Sequence, residues 1–359
     1  MTDHPVNARS LVLPPPAMPR FDPARSWRDL RTDYAAHPAY RSLLAFRPGT
    51  LLRFSAGAAK LFVKRLINYE AIPADIRNGN PGSFALAALG NFVRGGAFGA
   101  MMGRAGAGPL AETGVAVFPL PERALASLQA AAAPCFSALE ARRARTVAGS
   151  RDFEDSRGSA RRAEAATLFE LIEQQFEACG LFEAASAYLG RQVKLVDVNP
   201  QINDRSDSFW RDIFPDLSLP SLPKTAYCHR DASGGDLKAI IYMTDVGPNN
   251  GPFSYAVGSN RCHISRIDDF ICEANDMNGF SATTPGARKA FAGLPAKLRQ
   301  KGSFGNDLID DSPASAAIAE TLWSIEGPAG SIVLFDTKGI HRGGMVEEGE
   351  RRVITCVIG

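Results

Sequence analysis

The pattern of apolar positions changes along the chain, and the change divides it. Between residues 24 and 75, apolar and basic residues follow helical spacing, with Leu51, Leu52, Phe54, Ala58, Leu61, Phe62 and Leu66 as the apolar members. Residues three and four apart share one helix face, so this stretch predicts a helix packed on the main domain. A helix lying on a membrane surface is the functional alternative. A strand is predicted over 114–120 (GVAVFPL), then a helix over 121–145 opened by Pro121, then an amphipathic helix over 166–180 closed by Gly180. Beyond residue 190 strand signals dominate. Short runs rich in β-branched and aromatic residues predict strands at 192–198, 224–229, 236–246, 252–257, 330–336 and 351–358. GPNNGP, between Asp245 and Phe253, predicts a hairpin turn.

Such a run of short strands, separated by Gly, Pro and Asn, predicts an antiparallel sandwich or barrel rather than a parallel α/β sheet. Segment 262–328 interrupts it with a helix expected around 285–300 and polar loops. Loops of that length in a compact domain often cover binding sites. The Pro-rich first twenty residues predict a loosely held arm. The Gly-rich stretch 79–109 fits either a mobile cover over a site or an irregular connection, and the mixed-charge run 141–165 reads as a solvated helix or loop, with a surface for an acidic carrier or a CoA phosphate as the minor alternative.

Composition narrows the class. The 359 residues are 45% hydrophobic and 22% charged, as expected of a folded globular protein. Forty Lys and Arg against 38 Asp and Glu leave a net charge of +2. That balance argues against nucleic acid as the partner. The six cysteines are scattered and form no CxxC pair, so a reduced, cytoplasmic protein is expected. No secretory signal is expected from the first twenty residues. No membrane span is expected either, because the most apolar stretch, 85–109, carries Arg94 and Arg104.

Chemistry concentrates in three places. In TAYCHRD, His229 and Asp231 stand at i and i+2, the same face of a strand. In GIHRGG, His341 follows an apolar strand. In GERRVIT, Arg351 and Arg352 open the terminal strand, where a buried guanidinium calls for an anion. Two neutral imidazoles and one carboxylate form the facial triad of non-heme Fe(II) oxygenases, which leaves one face of the ion open for cosubstrate and O₂. With a carboxylate at Asp231 there is no vacancy for chloride, which favours oxygen transfer over halogenation.

These motifs together resemble the phytanoyl-CoA dioxygenase family of Fe(II)/2-oxoglutarate-dependent oxygenases. The likeness runs through HRDASGGDLKAIIYMTDVGPNNGPFSYAVGSN (229–260), with Thr244-Asp245-Val246, Asn250-Gly251-Pro252 and Gly258-Ser259-Asn260, and continues to His341 and Arg352. It covers roughly 112–359. It implies a mainly β fold with flanking helices around a double-stranded β-helix (jelly-roll, cupin-like) core. Residues 1–110 would form an N-terminal helical or irregular extension packed on the core, and 111–359 the oxygenase domain with 262–328 as an insertion. It further implies Fe(II) held by His229, Asp231 and His341, 2-oxoglutarate as cosubstrate, and O₂. The expected activity is hydroxylation of an unactivated C–H in a small-molecule or acyl substrate, with release of succinate and CO₂; desaturation, epoxidation and rearrangement are open as well.

By the same resemblance, Arg352 would pair with the far carboxylate of 2-oxoglutarate, Asn203 would touch the cosubstrate, and Tyr242 would stand beside it. Arg351, on the opposite face, would meet solvent. The chain departs from the family pattern at Gly343, where a Ser is usual, and at Asn260, where a His is usual; His263 is expected to be no ligand. Phe280, Phe291, Phe304 and Trp323 are candidates for an apolar substrate wall, with plain packing as the alternative. Two rival classes use the same barrel: a metal-dependent hydrolase or isomerase that needs no 2-oxoglutarate, and a non-catalytic binding protein.

Overall fold

The computed structural model describes residues 108–147, 153–205, 228–231, 237–261 and 313–359 without interruption, together with 15–22, most of 47–93 and isolated positions elsewhere. Among the described residues eight strands are formed: β1 (Val115–Pro119), β2 (Leu195–Asp204), β3 (Leu237–Tyr242), β4 (Phe253–Ala256), β5 (Leu322–Ile325), β6 (Ser331–Asp336), β7 (His341–Arg342) and β8 (Glu350–Ile358). They make two antiparallel sheets, one in the order β1-β6-β3-β8-β2 and one in the order β5-β4-β7. His229 bridges His341 on the free side of β7, so residues 228–230 stand as a fourth strand of the smaller sheet. Apart from β1, the chain thus threads β2-β8-β3-β6 in one sheet against (228–230)-β7-β4-β5 in the other. That connectivity is the double-stranded β-helix, or jelly roll.

The large sheet is buried on both sides along its central strands β3, β6 and β8. Its outer face carries Ala239, Ile241, Ile332, Leu334, Ile354 and Cys356 against helices α3 (Glu122–Arg143), α4 (Ala166–Ala178) and α5 (Leu181–Leu189). Leu128, Phe169, Ile172 and Phe176 supply the helical side of that contact. Its inner face carries Val115, Val117, Ile240, Tyr242, Val333, Phe335 and Val353 against Phe253, Tyr255 and Ile325 of the small sheet. Fully burying a side chain of this size contributes about 1.5–3 kcal/mol, so both layers hold the barrel together. Gly180 lies between α4 and α5 with φ +76°, the left-handed conformation that ends one helix and lets the chain turn into the next.

Several expectations are revised. GPNNGP is no hairpin: it carries the chain from β3 in one sheet to β4 in the other. Turn residues say that the chain reverses but not which edge the next strand joins, and here that edge is set by pairing with β5 and β7. The arm is partly pinned, because Leu13 bridges Val117 beside β1 and Phe21 donates to the carbonyl of Val257 at 2.8 Å. Within 24–75 the helix is α1 (Pro48–Leu66), and within the Gly-rich stretch 81–93 forms α2 (Pro81–Val93). Helix α5 and strand β5 were not expected, nor was the short helix α6 (Pro313–Ala319). The helix expected at 285–300 lies outside the described residues apart from isolated positions, as do residues 224–227 of the strand expected at 224–229. Among the described residues no helix is long and apolar enough to cross a membrane.

Candidate metal and anion site

Backbone pairing builds the site. His229 and His341 exchange both backbone hydrogen bonds, each 2.9 Å, as directly opposed residues of adjacent antiparallel segments. Their rings stand on one face, with centroids 4.5 Å apart. The backbone N–H of Asp231 donates to Thr337 O at 3.0 Å, which extends the segment so that Asp231, two residues on, shares the face of His229. The nearer imidazole nitrogens and carboxylate oxygens of His229, Asp231 and His341 all lie within 4.8 Å of one another. His229 Nε2 is 3.6 Å from Asp231 Oδ1, and His341 Nε2 is 3.8 Å from Oδ2.

The surroundings fix the donors. His341 Nδ1 lies 2.8 Å from the carbonyl oxygen of Gly339, an acceptor, so the proton belongs on Nδ1 and Nε2 keeps its lone pair. Tyr255 stacks on the ring, with planes 12° apart, and its hydroxyl donates to Asp336 O at 3.0 Å. Gly339 makes this possible, since a Cβ there would fall 1.8 Å from the Tyr255 hydroxyl. Burial, then the neighbouring His229, push His341 down to about 3, which leaves it neutral near pH 7. Burial works against ionisation of Asp231, but the His229 hydrogen bond and the nearby His341 and Lys238 outweigh it and hold the carboxyl well below the usual carboxylate range. Two imidazole nitrogens and an ionised carboxylate oxygen on one face fit a single divalent ion.

Lys238 was not anticipated. Its ammonium sits 2.6 Å from Asp231 Oδ2. Parity explains why: Lys238 precedes Ile240 and Tyr242 by steps of two on β3, and those two face the sandwich interior. It donates to one carboxylate oxygen, the contact that orients a ligating carboxylate.

The two arginines face the reverse of what was expected. Arg351 is only 6% exposed and shares the inner face with Val353, and its Nη2 donates to Asn203 Oδ1 at 3.2 Å across the β2–β8 pair. Its Nε has no hydrogen-bond partner among the described residues. Burial pushes its guanidinium below the ordinary value. Arg352 shares the outer face with Ile354 and Cys356, where it pairs with Glu350 at 2.6 Å and Glu140 of α3 at 2.7 Å. Arg352 is therefore committed outside the barrel, and the inward-facing arginine is Arg351. A Cβ on Gly343 would lie 3.5 Å from Arg351 Nη2, and Gly343 is two residues from His341. Arg351 Nη2 thus lies beside the chain just beyond His341.

Asn203 stands beside Arg351 as described. Tyr242 is fully buried on the same inner face, but its hydroxyl is occupied, donating to Ile325 O at 2.7 Å and accepting from Phe253 N–H at 3.2 Å. Burial pushes its phenol up to about 12. Other motif residues serve the scaffold. Ser259 Oγ accepts from Ile340 N–H, Asp245 Oδ1 accepts from Ala329 N–H, and Asn260 Nδ2 donates to Leu110 O and Tyr188 Oη. Trp323, on β5, packs against the inner cluster; Phe280, Phe291, Phe304 and His263 lie outside the described residues.

No family model matches the chain, and no curated protein matches it in sequence. Among solved structures it is similar to AviO1 from Streptomyces viridochromogenes Tue57, at TM-score 0.39 and 15% identity over 70% of this chain and 91% of that one. It is similar to EctD from S. alaskensis with bound Fe, at TM-score 0.39 and 16% identity over 70% and 74%. It is similar to HygX from Streptomyces hygroscopicus with nickel and 2-oxoglutarate bound, at TM-score 0.37 and 15% identity over 70% and 84%. These likenesses are too distant to assign a reaction to this chain.

Proposed function

We propose that this chain is an Fe(II)/2-oxoglutarate-dependent dioxygenase of the phytanoyl-CoA dioxygenase type, acting on a small-molecule or acyl substrate. The observation that carries the proposal is the convergence of His229, Asp231 and His341 within 4.8 Å inside a jelly roll whose interior also holds the buried Arg351. His229, Asp231 and His341 would hold the ion. Bound there, Fe(II) together with 2-oxoglutarate and O₂ supplies the oxidising power, with succinate and CO₂ as co-products. Arg351, in place of Arg352, takes the far carboxylate of the cosubstrate. Its Nε, without a hydrogen-bond partner among the described residues, and its Nη2 beside Gly343, two residues beyond His341, support that assignment.

The remaining residues position these groups. Gly339 O holds His341 in the tautomer that presents Nε2. Lys238 occupies one oxygen of Asp231 and leaves the other for the ion. Asn203 holds one arm of Arg351. Phe253 and Phe335, with ring centroids 4.4 Å apart, close the apolar side of the chamber and keep water from the reacting centre.

The test is anaerobic addition of Fe(II) and then 2-oxoglutarate. A weak visible charge-transfer band is expected with wild type and lost in Asp231→Ala, and air should then yield succinate. If metal binds but 2-oxoglutarate neither gives the band nor turns over, the chain belongs with hydrolases or isomerases on the same barrel.

A further inference from the structure

We propose that α1 and α2 form a docking surface for an anionic lipid bilayer, so that the protein works at a membrane surface without crossing it. The proposal stands apart from the assignment of the metal site.

Helix α1 has two apolar faces. Phe54, Gly57 and Leu61 are buried. On the opposite side Leu52 and Val63 lie on one line three turns apart, 72% and 53% exposed, with Phe62 on their flank at 50%. A surface helix ordinarily turns polar residues outward, and a helix apolar all round is ordinarily buried. Helix α2 adds Leu86 and Leu89, 72% and 58% exposed. It is held to the end of α1 by the Tyr69–Phe84 ring pair and by Asn91 Nδ2 donating to Ile67 O. Of the eight large apolar side chains exposed among the described residues, five stand on these two helices, so the exposure is local rather than scattered.

Charge identifies the partner. Arg53 and Lys60, seven residues apart, are exposed along the other flank of the Leu52–Val63 line. Helix α1 contains no acidic residue and α2 no charged one. Residues 41–111 hold nine Lys and Arg against two acids, Glu70 and Asp75, while the rest of the chain holds 31 against 36. Exposed Leu, Phe and Val with cations along one flank is the pattern that inserts into the headgroup boundary of an anionic leaflet. A second copy of this chain would bring like charge against like charge, and so fits the face poorly.

The test is flotation of the full chain with mixed phosphatidylserine–phosphatidylcholine vesicles and with pure phosphatidylcholine vesicles. Wild type should bind the mixed vesicles and lose binding as salt rises. Arg53→Ser with Lys60→Ser should weaken binding about tenfold or more, at roughly 1 kcal/mol per cation. Leu52→Glu with Val63→Glu should abolish binding while circular dichroism and sedimentation stay as in wild type. The proposal is overturned if wild type floats with neither vesicle, or if the Leu52→Glu, Val63→Glu protein floats as wild type does. It is also overturned if wild type sediments as a dimer that this double substitution dissociates, which would give the face to a second copy.

Discussion

The neighbouring arginines Arg351 and Arg352 should differ sharply when each is replaced. Arg351 lies inside the sandwich with Nε unpartnered among the described residues and Nη2 on Asn203, whereas Arg352 lies outside between Glu140 and Glu350 with its side chain 30% exposed. If the far carboxylate of 2-oxoglutarate sits on Arg351, Arg351→Met removes one partner of a desolvated charge pair, which costs about 2–5 kcal/mol. At about 1.4 kcal/mol per decade, the middle of that range raises the dissociation constant of 2-oxoglutarate roughly a hundredfold or more. Arg352→Met removes two solvent-exposed ion pairs worth about 0.2–1 kcal/mol each, so it trims stability and leaves cosubstrate affinity within about twofold. The assay is anaerobic titration of the Fe(II) protein with 2-oxoglutarate, followed by the visible band.

Thermal unfolding without cosubstrate supplies a control. Removing a buried, incompletely partnered cation is often neutral or stabilising, so Arg351→Met should unfold no lower than wild type in the absence of 2-oxoglutarate and gain less from its addition. A hundredfold loss of affinity in Arg352→Met with none in Arg351→Met would refute the facing of both side chains.

Asp231→Ala should remove an anionic donor and abolish both metal retention and turnover, measured by metal content after dialysis and by succinate yield. Lys238→Met should keep the donor atoms but weaken Co(II) binding about tenfold, the lower end for losing a contact to a ligating side chain, and unaltered affinity would remove Lys238 from the site. For His341, the folded value of about 3 lies below the ordinary 6.5, so the folded protein binds fewer protons and this contribution is present above pH 6.5 and lost as pH falls toward 3. Acidifying the metal-free protein from pH 7 to 5 should therefore cost wild type about 2 kcal/mol more than His341→Gln in urea unfolding, and equal losses would contradict a buried neutral imidazole. Tyr242→Phe leaves Ile325 O and Phe253 N–H without their partner and should cost about 2–3 kcal/mol in the same assay; a loss under about 0.5 kcal/mol would mean that water replaces the hydroxyl.

What could be read from the chain was what depends on near neighbours. His229 and Asp231 share a face because side chains two apart on a strand must, and the short runs between Gly, Pro and Asn gave most of the strands of the barrel. Alternation could not say which of Arg351 and Arg352 points inward. RRVITCVI packs on helices with one face and on the small sheet with the other, so both faces are apolar and the parity leaves no trace in the sequence. Only pairing with β2 and β3 fixed it. Pairing elsewhere in the two sheets brought Lys238 to Asp231, made GPNNGP a crossing between sheets rather than a hairpin, and set His341 directly opposite His229 across the sequence between them. Periodicity placed a helix within 24–75, yet only the fold showed that α1 spends Phe54 and Leu61 on the interior and leaves Leu52 and Val63 in solvent, because the direction of packing is decided by the surface a helix finds.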